Sequence, residues 1–299
     1  MKILISGTSG LIGRNLSKNL KDEGHEITRL VRFLSKSDEN TVFIDYENKR
    51  FELSEFESFD AVIHLAGENI VGRWTEAKKR KLIKSRIDTT RLLIEIYKNV
   101  KNPPKHFLCA SAVGIYGNTG DITVDEDSEL GSGFLPNLAS SWENEANQAS
   151  DFNARVVNLR IGLVLDKNDG ALSKMLTPFK FGLGGNVGDG SQYWSWISIK
   201  DVVNSINYIL NNISISGPVN LVSPNPCTNK YFTSTLAEVI KRPAIFHIPS
   251  KIIKIIFGEM GEQVLLFGTK VKPKKLLEHN YRFIDTDLKQ TLEKLIKKS

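Results

Sequence analysis

Residues 2–6 form a short apolar run that leads straight into a glycine-bearing turn. Beyond the turn, Leu11, Ile12, Leu16 and Leu20 recur at the spacing of one helix face. This β-turn-α pattern continues along the chain. Short apolar or alternating runs predict strands at residues 26–31, 41–44, 61–65, 106–110, 155–159 and 219–222. Helical periodicity predicts a long helix at about 76–99 and others at about 138–149, 200–210 and 229–240. Strands alternating with helices imply an α/β fold with a parallel, Rossmann-type doubly wound sheet. After Gly162 the texture changes: Gly170, Gly182, Gly184, Gly185, Gly188 and Gly190 precede the aromatic run Tyr193-Trp194-Ser195-Trp196. That stretch reads as loop-rich, a substrate lobe or lid. From Arg242 onward, three short helical patterns are separated by Pro249, Gly258, Gly268 and Pro273. The expected organisation is a dinucleotide-binding unit over 1–240, with substrate-lobe insertions from about 163. A small α-rich domain over 241–299 completes a smaller C-terminal substrate lobe.

The first turn carries the chemistry. Gly7-Thr8-Ser9-Gly10-Leu11-Ile12-Gly13 follows a strand and opens a helix, the setting in which spaced glycines bind a dinucleotide. Gly7 permits the tight turn, Gly10 lets a pyrophosphate approach the backbone, and Gly13 lets helix and strand pack closely. The helix N-terminus then offers free N–H groups and a positive dipole end to the anion. About twenty residues on, where an acidic side chain would hold the ribose 2′-hydroxyl of NAD, the second predicted strand ends in Arg32, with Arg29 before it. A guanidinium matches a 2′-phosphate in charge and geometry, so NADP (NADPH) is the expected cofactor. The other reading of Arg32 is a solvent-facing strand end.

Composition narrows the rest. The 299 residues are 40% hydrophobic and 25% charged, the profile of a globular protein able to bury a large core without staples. Cys109 and Cys227 have no neighbouring Cys or His cluster, so neither a disulfide framework nor a metal site is expected. The net charge of +6 is spread over separate lysine groups, which read as solvated helix faces rather than a nucleic-acid surface. No apolar run reaches the roughly 18 residues of a membrane span, and the chain starts directly in a strand without a signal pattern. The expectation is a soluble cytoplasmic protein with a small-molecule substrate, no nucleic-acid or membrane partner, and a possible homodimer.

The turn at Gly7 to Gly13, together with His64-Leu65-Ala66-Gly67, Ser111-Ala112-Val113-Gly114-Ile115-Tyr116-Gly117 and Trp196-Ile197-Ser198-Ile199-Lys200-Asp201, resembles the extended short-chain dehydrogenase/reductases of the NAD-dependent epimerase/dehydratase type. Further segments are similar to an atypical epimerase-family subgroup with a small C-terminal domain of unknown function. They are Gly67-Glu68-Asn69-Ile70, Trp74, Ser85-Arg86-Ile87-Asp88-Thr89-Thr90, Trp142-Glu143, Gly184-Gly185 and Gly258-Glu259-Met260. The resemblance spans nearly the whole chain. It implies pyrophosphate contacts from Gly7, Thr8, Gly10, Leu11, Ile12 and Gly13, and a 2′-phosphate near Arg32. It further implies Leu65, Ala66 and Gly67 beside the adenosine ribose, Arg86 reaching the cofactor from the other side, and Val164 at the nicotinamide end. For Arg86 the other reading is a buried helix-to-loop ion pair.

That superfamily normally moves its proton with a Tyr-x-x-x-Lys helix and a Ser or Thr donor. Counting back from Glu143, the tyrosine position is Leu135 and the lysine position Ala139; four residues before Tyr116, the hydroxyl position is Ala112. The triad is absent, so no catalytic residue is named. Tyr116, Glu68, Glu143 and Asp201 stand between acid-base and structural roles, and the Trp194–Trp196 region between pocket wall and core. Two functions remain open. One is an NADP-binding oxidoreductase or epimerase-like enzyme acting on an unknown small molecule; the other is a non-catalytic, NADP-dependent binding or redox-sensing module with a protein partner.

Overall fold

The computed structural model describes residues 1–32 and 40–297. Seven strands form one sheet in the spatial order Gly217–Leu221, Arg155–Ile161, His106–Ala112, Ala61–His64, Lys2–Ser6, Glu26–Val31 and Thr41–Phe43. All neighbours are parallel. Chain order runs outward from Lys2–Ser6 in one direction and then, from Ala61–His64, in the other. The reversal point between these two strands opens a crevice beyond their carboxyl ends, where such sheets bind ligands.

The sheet's apolar runs are explained by burial on both faces. Ile3 and Ile5 point to one side, with Ile63, Leu108, Val157 and Leu159, against the helices Leu11–Asp22 and Ile199–Asn211. Leu4 alternates to the other side, with Val62, Phe107 and Cys109, against helices that supply Leu93, Tyr97 and Trp142. The predicted long helix is a continuous helical path, Glu76–Ile83 then Thr89–Tyr97, joined by a π-helical turn at Lys84–Asp88. The helix expected at 138–149 begins earlier and is Phe134–Asn147.

The stretch after Gly162 departs from the loop-rich expectation, because it contains the helix Gly170–Lys180. Its glycines hid it: Gly170 stands at its start, capped by the Asp169 carboxylate, and Pro178 falls in its last turn, where its missing N–H removes a single ladder bond. The leucines at 172 and 176, with Phe179, are the buried face that identifies it.

The residues after Ile240 are woven into this frame. Phe246–Ile248 pairs with Gly185–Val187, and Lys270–Val271 with Thr123–Val124. Met260 packs with Trp74 and Leu138, while Leu288 and Leu292 pack with Trp196 and Phe232. The Asp201 carboxylate accepts the backbone N–H groups of Ile284 and Asp285 at 3.0 and 2.8 Å, pinning the tail to the helix Ile199–Asn211.

One buried polar chain joins sheet, helix and tail. Arg160 donates two bonds to the Glu143 carboxylate at 2.8 Å each, Ser111 Oγ donates to the same carboxylate at 2.7 Å, and Arg160 also donates to Tyr116 Oη at 2.9 Å. Tyr116 passes its proton side to Asn220 Oδ1 at 2.8 Å, and Asn220 Nδ2 donates to the Lys272 carbonyl. A carboxylate this buried is tolerable only because it is fully hydrogen-bonded to its counter-charge. Replacing Glu143 by Ala leaves the Arg160 guanidinium buried without its anion, and is expected to cost roughly 3–5 kcal/mol of folding stability. Urea denaturation at pH 7 checks this; a loss below about 1 kcal/mol would refute it.

Candidate functional site

Ser6 and His64 are register partners at the ends of adjacent strands, so the turn at Gly7 and the loop at Leu65 leave the sheet side by side. Ser6 Oγ accepts the N–H groups of Leu65 and Ala66 at 3.0 and 3.1 Å and lies 2.7 Å from His64 Nδ1. With its lone pairs engaged, the hydroxyl gives its own hydrogen to Nδ1, which places the imidazole proton on Nε2, the side facing Thr89 Oγ1 at 3.5 Å. Burial pushes the His64 pKa down to about 4, so the ring is neutral near pH 7.

The glycines fit a phosphate cradle. Gly7 has φ +74°, and a Cβ there would meet the Leu65 carbonyl carbon at 2.8 Å. A Cβ at Gly13 would fall 2.3 Å from the Gly7 carbonyl oxygen, whereas at Gly10 the only neighbour within 4 Å is that same oxygen, at 3.3 Å. Two glycines thus let protein approach protein, and the third keeps the outer side open. The helix beginning at Leu11 has no side-chain cap, which leaves its first N–H groups directed at that opening. Leu11, Ile12, Leu65 and Val164 are partly buried and all pack against one core cluster. Arg14 closes its rim, donating to the Ser9 carbonyl at 2.7 Å and to Asp169 at 3.0 Å.

Thr8 is half-buried beside this turn, and Arg32 is exposed just beyond the second strand. Arg86 donates to the carbonyls of Glu68 and Leu82 at 3.1 and 3.3 Å, neutral acceptors rather than the anion of an ion pair, and stacks over Trp142. Its guanidinium carbon lies 3.4 Å from where a Gly67 Cβ would be, an ordinary van der Waals separation. Arg86 therefore backs the loop that carries Leu65, Ala66 and Gly67. Glu68, one of the acid-base candidates, is held by Lys78 at 2.6 Å through its carboxylate and by Ser85 Oγ through its N–H.

At the positions that counting assigned to the triad the structure is aliphatic. Ala112 is exposed at its strand end, while Ser111 is buried on Glu143, facing away as strand alternation requires. Gly114 packs against Leu135, and Ala139 is buried beside Ile115 and Tyr116. Burial pushes the Tyr116 phenol up to about 12 despite the pull of Arg160, and its bonds to Arg160 and Asn220 engage it structurally. Trp196 is fully buried and therefore core, whereas Trp194 is half-buried against Phe232. Sequence reasoning missed Gln263, whose Oε1 accepts the Leu135 N–H at 3.1 Å and whose amide bonds Glu259, itself paired with Lys79 at 2.5 Å. The tail thus brings a carboxamide and an ion pair to the start of the helix Phe134–Asn147. Only the Glu259 of the resemblance hinted at this, since the contact spans more than a hundred residues. Among the described residues no cluster of His, Cys, Asp and Glu could hold a metal, and no helix is long and apolar enough to cross a membrane.

Two predictions follow from the cradle's construction. Gly13→Ala forces a methyl onto a backbone oxygen and is expected to destabilise the fold by the upper part of roughly 1–3 kcal/mol, read as a lowered urea midpoint; an unchanged midpoint would refute the close approach. For His64, the folded pKa lies below the unfolded value of 6.5, so the unfolded chain takes up the proton first as pH falls. The neutral ring's advantage is present above pH 6.5 and is lost progressively down to about pH 4, in total about 3 kcal/mol. Denaturation curves between pH 4 and 7 for wild type and His64→Leu should differ by a slope of this sign; parallel curves would be the contrary result.

The sequence and the fold have known counterparts. Residues 3–221 match the NAD dependent epimerase/dehydratase family, and residues 248–295 match a domain of unknown function, DUF1731. The chain is 35% identical over 299 residues to the epimerase family protein YfhF of Bacillus subtilis, covering 99% of this chain and 98% of that one. It is 34% identical to the human epimerase family protein SDR39U1, covering 99% of this chain and all of that one. A crystal structure of that human protein with NADPH superposes with a TM-score of 0.91 over the whole of both chains, at 32% identity. A nucleoside-diphosphate sugar epimerase from Corynebacterium glutamicum gives 0.82 at 28% identity, covering 99% of this chain and 58% of that one. The switch-point crevice, the glycine cradle and the full-length similarity together establish that this chain belongs to the NAD-dependent epimerase/dehydratase family.

Proposed function

We propose that the protein binds NADPH in the switch-point crevice and acts as an oxidoreductase or epimerase-like enzyme on a small molecule, without the Ser/Tyr/Lys triad. The observation that carries this is the glycine cradle, open at Gly10 and closed by backbone at Gly7 and Gly13. The NADPH-containing crystal structure of the similar human protein supports the choice of cofactor. In this reading Gly7, Thr8, Gly10, Leu11, Ile12 and Gly13 hold the pyrophosphate, and Arg32 meets the 2′-phosphate. Leu65, Ala66 and Gly67 lie along the adenosine ribose, with Arg86 fixing their loop from behind, and Val164 borders the nicotinamide. A bound NADPH would supply hydride chemistry at that end. The chain's own part is to orient the dinucleotide and to exclude water with Leu135, Ala139 and Val164. Ala112 offers the substrate no hydroxyl. Two buried free cysteines suit a reducing compartment such as the cytoplasm.

The aliphatic triad positions favour a second reading, in which bound NADP serves as a structural or redox-sensing ligand for a protein partner. The two separate in solution. NADPH is expected to bind at least tenfold more tightly than NADH by fluorescence titration, and equal affinities would refute the cofactor assignment. A carbonyl and nucleotide-sugar panel with NADPH, followed by absorbance loss, supports the enzyme if any compound turns over. Tight binding with a silent panel turns the case to the binding module.

A further inference from the structure

The outer side of the segment after Ile240 is apolar. Eight of the eighteen large apolar side chains exposed among the described residues stand on it or on the loop it pairs with. The helix Ser250–Phe257 buries Ile253, which lies so close to Gly261 that a Cβ there would come within 2.8 Å of it. Phe257, one turn on, packs toward the cluster of Met260 and Trp74. These two contacts fix the helix's rotation. Ile252, Ile255 and Ile256, at spacings of three and four, are left facing outward, with Ile255 72% exposed. Just before the helix, Ile245, Phe246 and Ile248 are exposed as well. Phe181 and Leu183 stand exposed on the adjoining loop, which the Phe246 N–H ties in by its bond to the Gly184 carbonyl at 3.2 Å. Single exposed apolar residues are ordinary; a concentration of this kind marks a surface that something covers.

Charge decides what covers it. Residues 178–188 and 241–257 carry the cations Lys180, Lys241, Arg242, Lys251 and Lys254, all exposed, and no Asp or Glu. Among the described residues only Lys254 has an ion-pair partner, Glu262 at 2.6 Å. The acids that flank these segments are engaged elsewhere: Asp189 accepts from Ser191, Glu238 from Lys289, and Glu259 pairs with Lys79. A second copy meeting this face across a two-fold axis would set the same cations against one another. We propose that the face seats the protein on an anionic lipid surface, with Ile252, Ile255 and Ile256 entering the acyl boundary and the cations meeting the headgroup phosphates. The expectation of no membrane partner rests on the absence of a spanning run, and no helix of the described residues could span. Lying in the interface needs only one outward apolar face with cations at its border. Lys251, four residues before Ile255, is at that border, where its stem lies along lipid while its ammonium stays among the headgroups.

The experiment sediments the full chain with vesicles of phosphatidylcholine alone and of phosphatidylcholine mixed equally with phosphatidylglycerol, for the wild type, Lys251→Gln and Ile255→Asp. Both side chains are exposed, so the variants leave the fold intact, and urea midpoints verify this. The wild type is expected to bind the mixed vesicles about tenfold more tightly than the neutral ones and to be released by added salt. Lys251→Gln should weaken that binding about fivefold, and Ile255→Asp by about tenfold or more. A wild type that stays in solution with both vesicles, or that binds both equally, overturns the proposal. So does a dimer, seen by analytical ultracentrifugation without lipid, that Ile255→Asp separates, since a second copy then covers the face.

Discussion

Three hydrogen bonds meet at one atom, Ser6 Oγ, and the functional edge of the molecule is arranged about them. The hydroxyl ends the first strand, fixes the start of the loop after the fourth, and sets the tautomer of the buried His64. Because Leu65 and Ala66 are drawn to it, their backbone runs so close to Gly7 that no side chain fits there, and the first helix in turn presses Gly13 onto the Gly7 carbonyl. The close approach is therefore mutual. A turn of bare backbone is stable here because the neighbouring loop leaves it no other path.

Much of this was legible in the sequence. The strand bounds at residues 2–6 and 26–31 and the helix bounds at 229–240 coincide with the observed elements, because apolar periodicity and the flanking glycines and polar caps agree at those places. The helix Gly170–Lys180 was illegible for the opposite reason: its glycine and proline argue locally against a helix, and only the tertiary packing of Leu172, Leu176 and Phe179 overrides them. The glycine roles in the site could be read because each follows from steric necessity. Gln263 could not, since its partner Leu135 is distant in sequence and an amide-to-backbone bond leaves no pattern in either segment.

The polar residues that drew attention as acid-base candidates share one fate. Glu143 neutralises Arg160, Asp201 gathers the backbone of the tail, and Tyr116 bridges Arg160 to Asn220. Each is a polar group placed deep in the fold, and each is saturated by partners that arrive from separate segments of the chain. Ala112, Leu135 and Ala139, which counting along the chain puts at the triad positions, bring no polar group, and the buried polarity of the fold joins its layers instead.

The weaving of the tail through the frame bears on how the protein is made. Val271 fills a space beside Ile115 and Val124, Met260 one beside Trp74, and Leu288 one beside Trp196, and these spaces lie in separate parts of the core. A nascent chain that has released only its first 240 residues from the ribosome carries the complete seven-stranded sheet but several uncovered apolar surfaces. Such a chain resembles an intermediate with exposed hydrophobic surface, the kind chaperones recognise. The core thus closes only once the segments around Met260, Val271 and Leu288 have been made, each covering a different surface.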